Sequence, residues 1–202
     1  MYTLIGTPAA RPFRVLWALE ELGQAYDIVP AGPQSKEVLQ FNPSGKVPVL
    51  LDGDDAIIDS VAIAQYLADK HGDITYPAGT IKRAQQDSFT QFACDDIDGI
   101  LWTMAKNTFV LPEDVRAPDV RKACEYDFAL SMASLEKRLG DNDYVMGERF
   151  TIPDLLICHC ADWAQRAKFP IPEGRLTSYI ERIRNRPAYK RSTDVRQTFA
   201  SK

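Results

Sequence analysis

The stretch Asn42-Pro43-Ser44-Gly45-Lys46-Val47-Pro48-Val49-Leu50-Leu51-Asp52-Gly53-Asp54-Asp55-Ala56-Ile57-Ile58-Asp59-Ser60 decides the fold. Its opening cluster of Asn, Pro, Ser and Gly reads as a loop, because these residues satisfy their own backbone or need unusual dihedrals. Residues 47–51 and 56–58 are short apolar, β-branched runs, and Asp52-Gly53-Asp54-Asp55 between them is a hairpin turn signal. Ser60 is placed to cap a helix that carries Ile63 and Leu67 on one face and runs to Gly72. A strand, a tight turn, a strand and a helix therefore follow one another with almost no linker.

Working back toward the N-terminus, residues 26–29 alternate as a strand and residues 35–41 form a short helix. Residues 12–22 read as a longer helix. Pro12 suits its first turn, Gly23 ends it, and Phe13, Leu16 and Trp17 make one apolar stripe while Val15, Leu19 and Leu22 make another. Two stripes imply a helix buried over a broad face, as when it packs on a sheet. Residues 2–6 supply one more strand, so the order is βαβ, a loop with a short helix, then ββα.

Toward the C-terminus the strand signals stop. Residues 73–80, with Tyr76-Pro77-Ala78-Gly79, mark the change, and helical periodicity follows through residues 81–108, 119–139, 152–169 and 176–185. Residues 109–118, holding Pro112 and Pro118, form a loop. Within Phe150-Thr151-Ile152-Pro153-Asp154-Leu155, Thr151 and Asp154 stand at N-cap and N3, where each side chain reaches the other's backbone N–H. Phe150 and Leu155 form the accompanying hydrophobic staple. The division expected is an α/β domain over residues 1–75 and an all-α domain over residues 81–202.

The bulk properties fit that reading. At 202 residues, 45% hydrophobic and 26% charged, the chain is long enough to bury a core and too apolar for disorder. Twenty-four basic against 28 acidic residues give a net charge of −4, which offers no electrostatic footprint for nucleic acid or an anionic membrane. No apolar run is long enough to span a bilayer, and residues 1–6 lack the basic region of a secretory leader, so a cytoplasmic location is expected. Cys94, Cys124, Cys158 and Cys160 include no Cys-x-x-Cys pair. On a helix, Cys158 and Cys160 stand about 200° apart, so no metal is expected and the thiols read as buried packing groups. Asp95, Asp96 and Asp98 read as a solvated or inter-subunit helix face. His71 and His159 have no recognisable nucleophile partner.

Five motifs, in this order and at this spacing, resemble the cytosolic glutathione S-transferases: residues 13–23, residues 42–50, Asp59-Ser60, the Phe150–Asp154 capping motif, and Arg186-Pro187-Ala188-Tyr189. The resemblance covers essentially the whole chain. It implies the glutathione transferase fold, an α/β thioredoxin-like N-terminal domain followed by an all-α helical domain, assembled as a homodimer. It also implies a detoxifying transferase that uses glutathione as co-substrate against a hydrophobic electrophile, with reduction of peroxides as a side activity. The competing implication is a glutathione-transferase-fold binding or interaction module without catalysis.

The same resemblance assigns residues. Val47-Pro48 matches a cis-proline turn whose preceding residue pairs its N–H and C=O with the cysteinyl backbone of glutathione. Ser60, at a helix N-terminus, matches the holder of the γ-glutamyl carboxylate, with Asp59 beside it for the amine or as support from behind. Lys46 matches a partner for the glycyl carboxylate. The group that favours the thiolate departs from the family pattern, because the usual Tyr, Ser and Cys positions hold Gly6, Ala9 and Arg11. Thr7 is the only side-chain hydroxyl in that loop and Arg11 the only cation. Each is a candidate catalytic group, Thr7 by donating its O–H and Arg11 by its charge, and each is equally readable as an ordinary loop residue. Trp102, Met104 and Phe109 are candidates for the electrophile pocket or, as an apolar stripe, for core.

Overall fold

The computed structural model of the protein describes residues 1–200, and these divide into two compact units, residues 1–78 with 184–200 and residues 79–183. In the first, β1 (Tyr2–Ile5), α1 (Pro12–Glu21), β2 (Tyr26–Val29), α2 (Lys36–Leu39), β3 (Val49–Asp52), β4 (Asp55–Ile58) and α3 (Ser60–His71) follow in order. The strands stand in the order β2-β1-β3-β4, with β1 parallel to β2 and antiparallel to β3, and β3 antiparallel to β4. This is the mixed sheet of a thioredoxin-like fold. Alternation along the strands sends Ile5 and Val49 to one face, where Ala31 and Val38 close a small core with Phe41, Val47 and Leu51 packed around it. Leu4 and Leu50 are fully buried and point to the other face. There α1 packs on β1 and on α3, which also packs on β4.

Every residue of α1 from Pro12 to Leu19 is buried, which explains its two apolar stripes. The ladder of β3 begins at Val49 rather than at the expected Val47, because Pro48 has no N–H to give it. The hairpin leaves only Gly53 and Asp54 between its strands, with Gly53 at φ +62°. Asp59, and not Ser60, is the N-cap of α3: its Oδ1 accepts from Val61 N–H at 2.9 Å and Ala62 N–H at 3.1 Å. That corrects the expectation from sequence. Ser60 becomes the first helical residue.

The first unit also contains α9 (Pro187–Ala200), a helix that hydrophobic periodicity did not reveal. It packs on α1. The Tyr189 ring stands edge-on to Trp17, 4.9 Å between centroids, and to Phe13, 5.9 Å. Ahead of α9, Arg186 grips Glu21 through two bonds, Nε to Oε1 at 2.7 Å and Nη2 to Oε2 at 2.8 Å. Trp17 Nε1–H donates to the same Oε1 at 2.9 Å. Arg191 does likewise one residue earlier on α1, giving Nε to Glu20 Oε2 at 2.6 Å and Nη2 to the Glu20 carbonyl at 2.9 Å.

The second unit is helical. The segment expected as one helix over residues 81–108 is α4 (Ile81–Phe92) and α5 (Gly99–Ala105), joined by a wide π turn at Ala93–Asp98 and followed by another at Lys106–Val110. Then come α6 (Val120–Leu139), α7 (Ile152–Arg166) and α8 (Arg175–Arg184). α7 is the centre of this unit, buried at every position from Ile152 to Asp162 and in contact with α4 and α5. Its start is the capping box read from sequence. Thr151 N–H donates to Asp154 Oδ2 at 2.8 Å and Thr151 Oγ1–H to the same oxygen at 3.1 Å, with Phe150 and Leu155 buried as the staple. Asp154 Oδ1 accepts from Val145 N–H at 2.9 Å and from the Tyr179 hydroxyl at 2.8 Å. Burial outweighs these four bonds and pushes the Asp154 carboxyl up to about 6. Cys124, Cys158 and Cys160 are buried, and Cys160 Sγ–H points at the buried Asp98 carboxylate, 3.9 Å away. Asp95 and Asp96 are exposed. No helix among the described residues is long and apolar enough to cross a membrane.

Candidate functional site

The candidate site is built in the first unit from three adjoining pieces of chain. The first is the loop after β1. Gly6 donates its N–H to Val29 and Thr7 donates to Ala31, each at 3.0 Å, which carries the chain past the end of the sheet. Ala9 N–H returns to the Thr7 carbonyl at 2.8 Å, and the chain enters α1 at Arg11. Gly6 has φ +138°, and a Cβ placed there would lie 2.8 Å from Pro12 Cγ and 3.3 Å from Val47 Cβ. Gly6 thus stands where no side chain fits, and the loop is pressed against the second piece. Thr7 is half-buried, and its hydroxyl forms no hydrogen bond among the described residues. Arg11 is half-exposed at the helix entrance.

The second piece is the turn before β3. The Val47–Pro48 bond is cis. Pro48 is buried and Val47 half-buried. The backbone N–H and C=O of Val47 form no hydrogen bond among the described residues. The turn is held from behind by Asn42, whose Nδ2 donates to the Lys46 carbonyl at 2.8 Å and whose Oδ1 accepts from Ser44 N–H at 3.1 Å and Ser44 Oγ–H at 2.8 Å. Lys46 itself is exposed, and its ammonium makes no ion pair among the described residues.

The third piece is the entrance to α3. Asp59 has φ +73°, a conformation that a non-glycine residue holds only when its surroundings enforce it, and such residues concentrate at functional sites. Its Oδ1 is committed to the helix, while Oδ2 makes no bond among the described residues. Ser60 is 2% exposed, and its Oγ accepts from Nη1 of Arg14, also 2% exposed, at 3.4 Å. Sequence reasoning took Arg14 only as part of a helix motif. The signal that could have found it is a full charge inside a run of Pro, Phe, Val, Leu and Trp.

The contacts thus bring Gly6 against Val47 and tie Ser60 to Arg14. Among the described residues no side-chain hydrogen bond or ion pair joins Thr7, Lys46 or Asp59 to the others. In the second unit, Met104 is 5% exposed and belongs to the core, Trp102 is half-buried, and Phe109 is 66% exposed. Among the described residues no group of three or more His, Cys, Asp or Glu is placed to hold a metal ion.

Residues 6–75 match the family model for the glutathione S-transferase N-terminal domain, and residues 101–187 the model for the glutathione S-transferase C-terminal domain. The chain is 30% identical over 204 residues to glutathione S-transferase 1 of Manduca sexta, covering 95% of this chain and 90% of that one. It is 32% identical over 136 residues to human glutathione S-transferase theta-2. That match takes in 64% of this chain and only 55% of the human protein. Among solved structures it resembles a theta-class glutathione S-transferase from Xanthomonas axonopodis pv. citri with glutathione bound. The identity is 26% and the TM-score 0.77, over 95% of this chain and 96% of that one.

Proposed function

Because the chain belongs to the glutathione S-transferase family, we propose that it is an active glutathione transferase, binding glutathione on residues 1–75 and joining its sulfur to a hydrophobic electrophile. The observation that carries the reading is the unpaired backbone of Val47, before a cis-proline and beside the strained entrance to α3. An N–H and a C=O presented together suit the antiparallel pairing that a cysteinyl residue offers. The γ-glutamyl carboxylate is assigned to the Ser60 hydroxyl at the positive end of α3, and the amine to the unengaged Oδ2 of Asp59. Lys46 is assigned to the glycyl carboxylate.

Thiolate formation falls to the loop above Val47. The Thr7 hydroxyl is an available donor, and Arg11 brings a cation to the start of α1. The thiolate then attacks an electrophilic carbon, forming the C–S bond as the leaving group departs with its electron pair. Binding and orientation supply most of the rate. The second unit, residues 79–183, is assigned the electrophile, Trp102 and Phe109 being candidates. A homodimer and a cytoplasmic location complete the reading.

The test is retention on immobilised glutathione followed by ultraviolet titration of the bound thiol. A thiol pKa well below the free value of about 8.5 is expected. Binding with an unshifted thiol would replace transferase chemistry by a non-catalytic binding module. Thr7→Ala and Arg11→Ala then separate the two donors; unchanged turnover in both would move the role to backbone N–H groups.

A further inference from the structure

Behind the entrance to α3 lies a buried charge: Arg14 is 2% exposed on α1 and donates to Ser60 Oγ. We propose that Arg14 is a positioning residue that sets the hydroxyl of Ser60 as a donor toward the γ-glutamyl carboxylate; this rests on the glutathione reading above.

The argument is one of hydrogen-bond polarity. A guanidinium has donors and no acceptor. Ser60 Oγ can therefore meet Arg14 Nη1, 3.4 Å away, only by accepting, and its own hydrogen must point elsewhere. Without that partner, a serine in the first turn of a helix is free to turn its hydroxyl toward nearby backbone groups. That hydrogen is needed here because Asp59, a carboxylate, already occupies the N–H groups of Val61 and Ala62 that an incoming anion would otherwise take. Asp59 thus uses the positive end of α3 itself, and Arg14 leaves Ser60 Oγ–H as the group that addresses the anion.

The experiment compares two ligands by calorimetric titration: glutathione and 4-aminobutyryl-cysteinylglycine, which lacks only the γ-glutamyl α-carboxylate. Wild type should favour glutathione by about tenfold or more, the worth of a charge-assisted hydrogen bond. Arg14→Lys and Ser60→Ala should each cut that ratio severalfold with the analogue's affinity unchanged, and the double variant should cut it no further. Equal weakening of both ligands by Arg14→Lys, or additive losses in the double variant, would overturn the proposal. If the Arg14 variant does not fold, wild type still decides. The side-chain 15N resonance of Arg14 should move with glutathione and not with the analogue, and equal response to both refutes the role. Wild type that binds neither ligand removes the glutathione reading itself.

Discussion

Asp154→Asn is a change of one atom at the centre of the helical unit, and the structure prescribes its cost. The carboxylate accepts Val145 N–H and the Tyr179 hydroxyl on one oxygen and the Thr151 N–H and hydroxyl on the other. An amide has one acceptor oxygen. Whichever way Asn turns, either Val145 N–H or Thr151 N–H faces an NH2 group and is left buried and unpaired. Hydroxyls escape by rotating. One orphaned backbone donor costs about 1–3 kcal/mol, and the bonds that survive lose their charge assistance, so a total of about 3 kcal/mol is expected at pH 7. Urea unfolding at fixed protein concentration should show a lower midpoint with an unchanged slope. The pH dependence carries a second check. The folded carboxyl titrates near 6 and its ordinary value is 3.8, so the native state binds the proton more tightly. This group's stabilisation is complete below about pH 4 and is lost as pH rises through 6, a swing of about 3 kcal/mol. Asn has no such titration, so the gap between wild type and variant should widen from pH 7 toward pH 4. A loss under about 0.5 kcal/mol at pH 7 refutes the network, and a gap that narrows in acid refutes the dominance of burial.

Two further perturbations address the first unit. Gly6→Ala should lower stability by about 2 kcal/mol or more, since the methyl meets the rigid Pro12 ring at 2.8 Å and φ is +138°. Thermal unfolding measures it, and a Tyr placed there cannot restore a tyrosine donor. Arg186→Ala breaks a two-bond ion pair whose Glu21 side chain is only 7% exposed. A loss of about 2 kcal/mol and a fall in melting temperature of about 4–8 °C are expected, with Arg186→Lys recovering less than half because an ammonium cannot match the fork.

The hairpin and the Thr151–Asp154 box were legible because each is written in neighbouring residues: the turn between Asp52 and Asp55 and the staple of Phe150 on Leu155 follow from local chemistry. The π turns at Ala93–Asp98 and Lys106–Val110 were not, since an added residue per turn leaves composition unaltered and only shifts register. α9 was missed for another reason. Its few apolar contacts, Tyr189 above all, acquire meaning only against Phe13 and Trp17, more than 170 positions earlier. At the entrance to α3, both Asp59 and Ser60 are competent caps; Asp59 caps the helix while Ser60 Oγ meets Arg14, an approach that no spacing rule announces. Val47-Pro48 was legible only through its family motif, because an isolated Val-Pro reads as an ordinary strand start.

The return of α9 to α1 has a consequence for how the chain comes into being. Phe13 and Trp17 are synthesised more than 170 positions before the ring that covers them, Tyr189. At about 5–20 residues per second, the residues between the two parts of the first unit take on the order of 5–20 s to synthesise. Throughout that interval α1 carries an aromatic stripe that α9 does not yet cover, with Glu20 and Glu21 awaiting their arginines. Nascent chains paused there are the form of this protein for which a chaperone would have use, and synthesis of α9 is the event that closes the first unit.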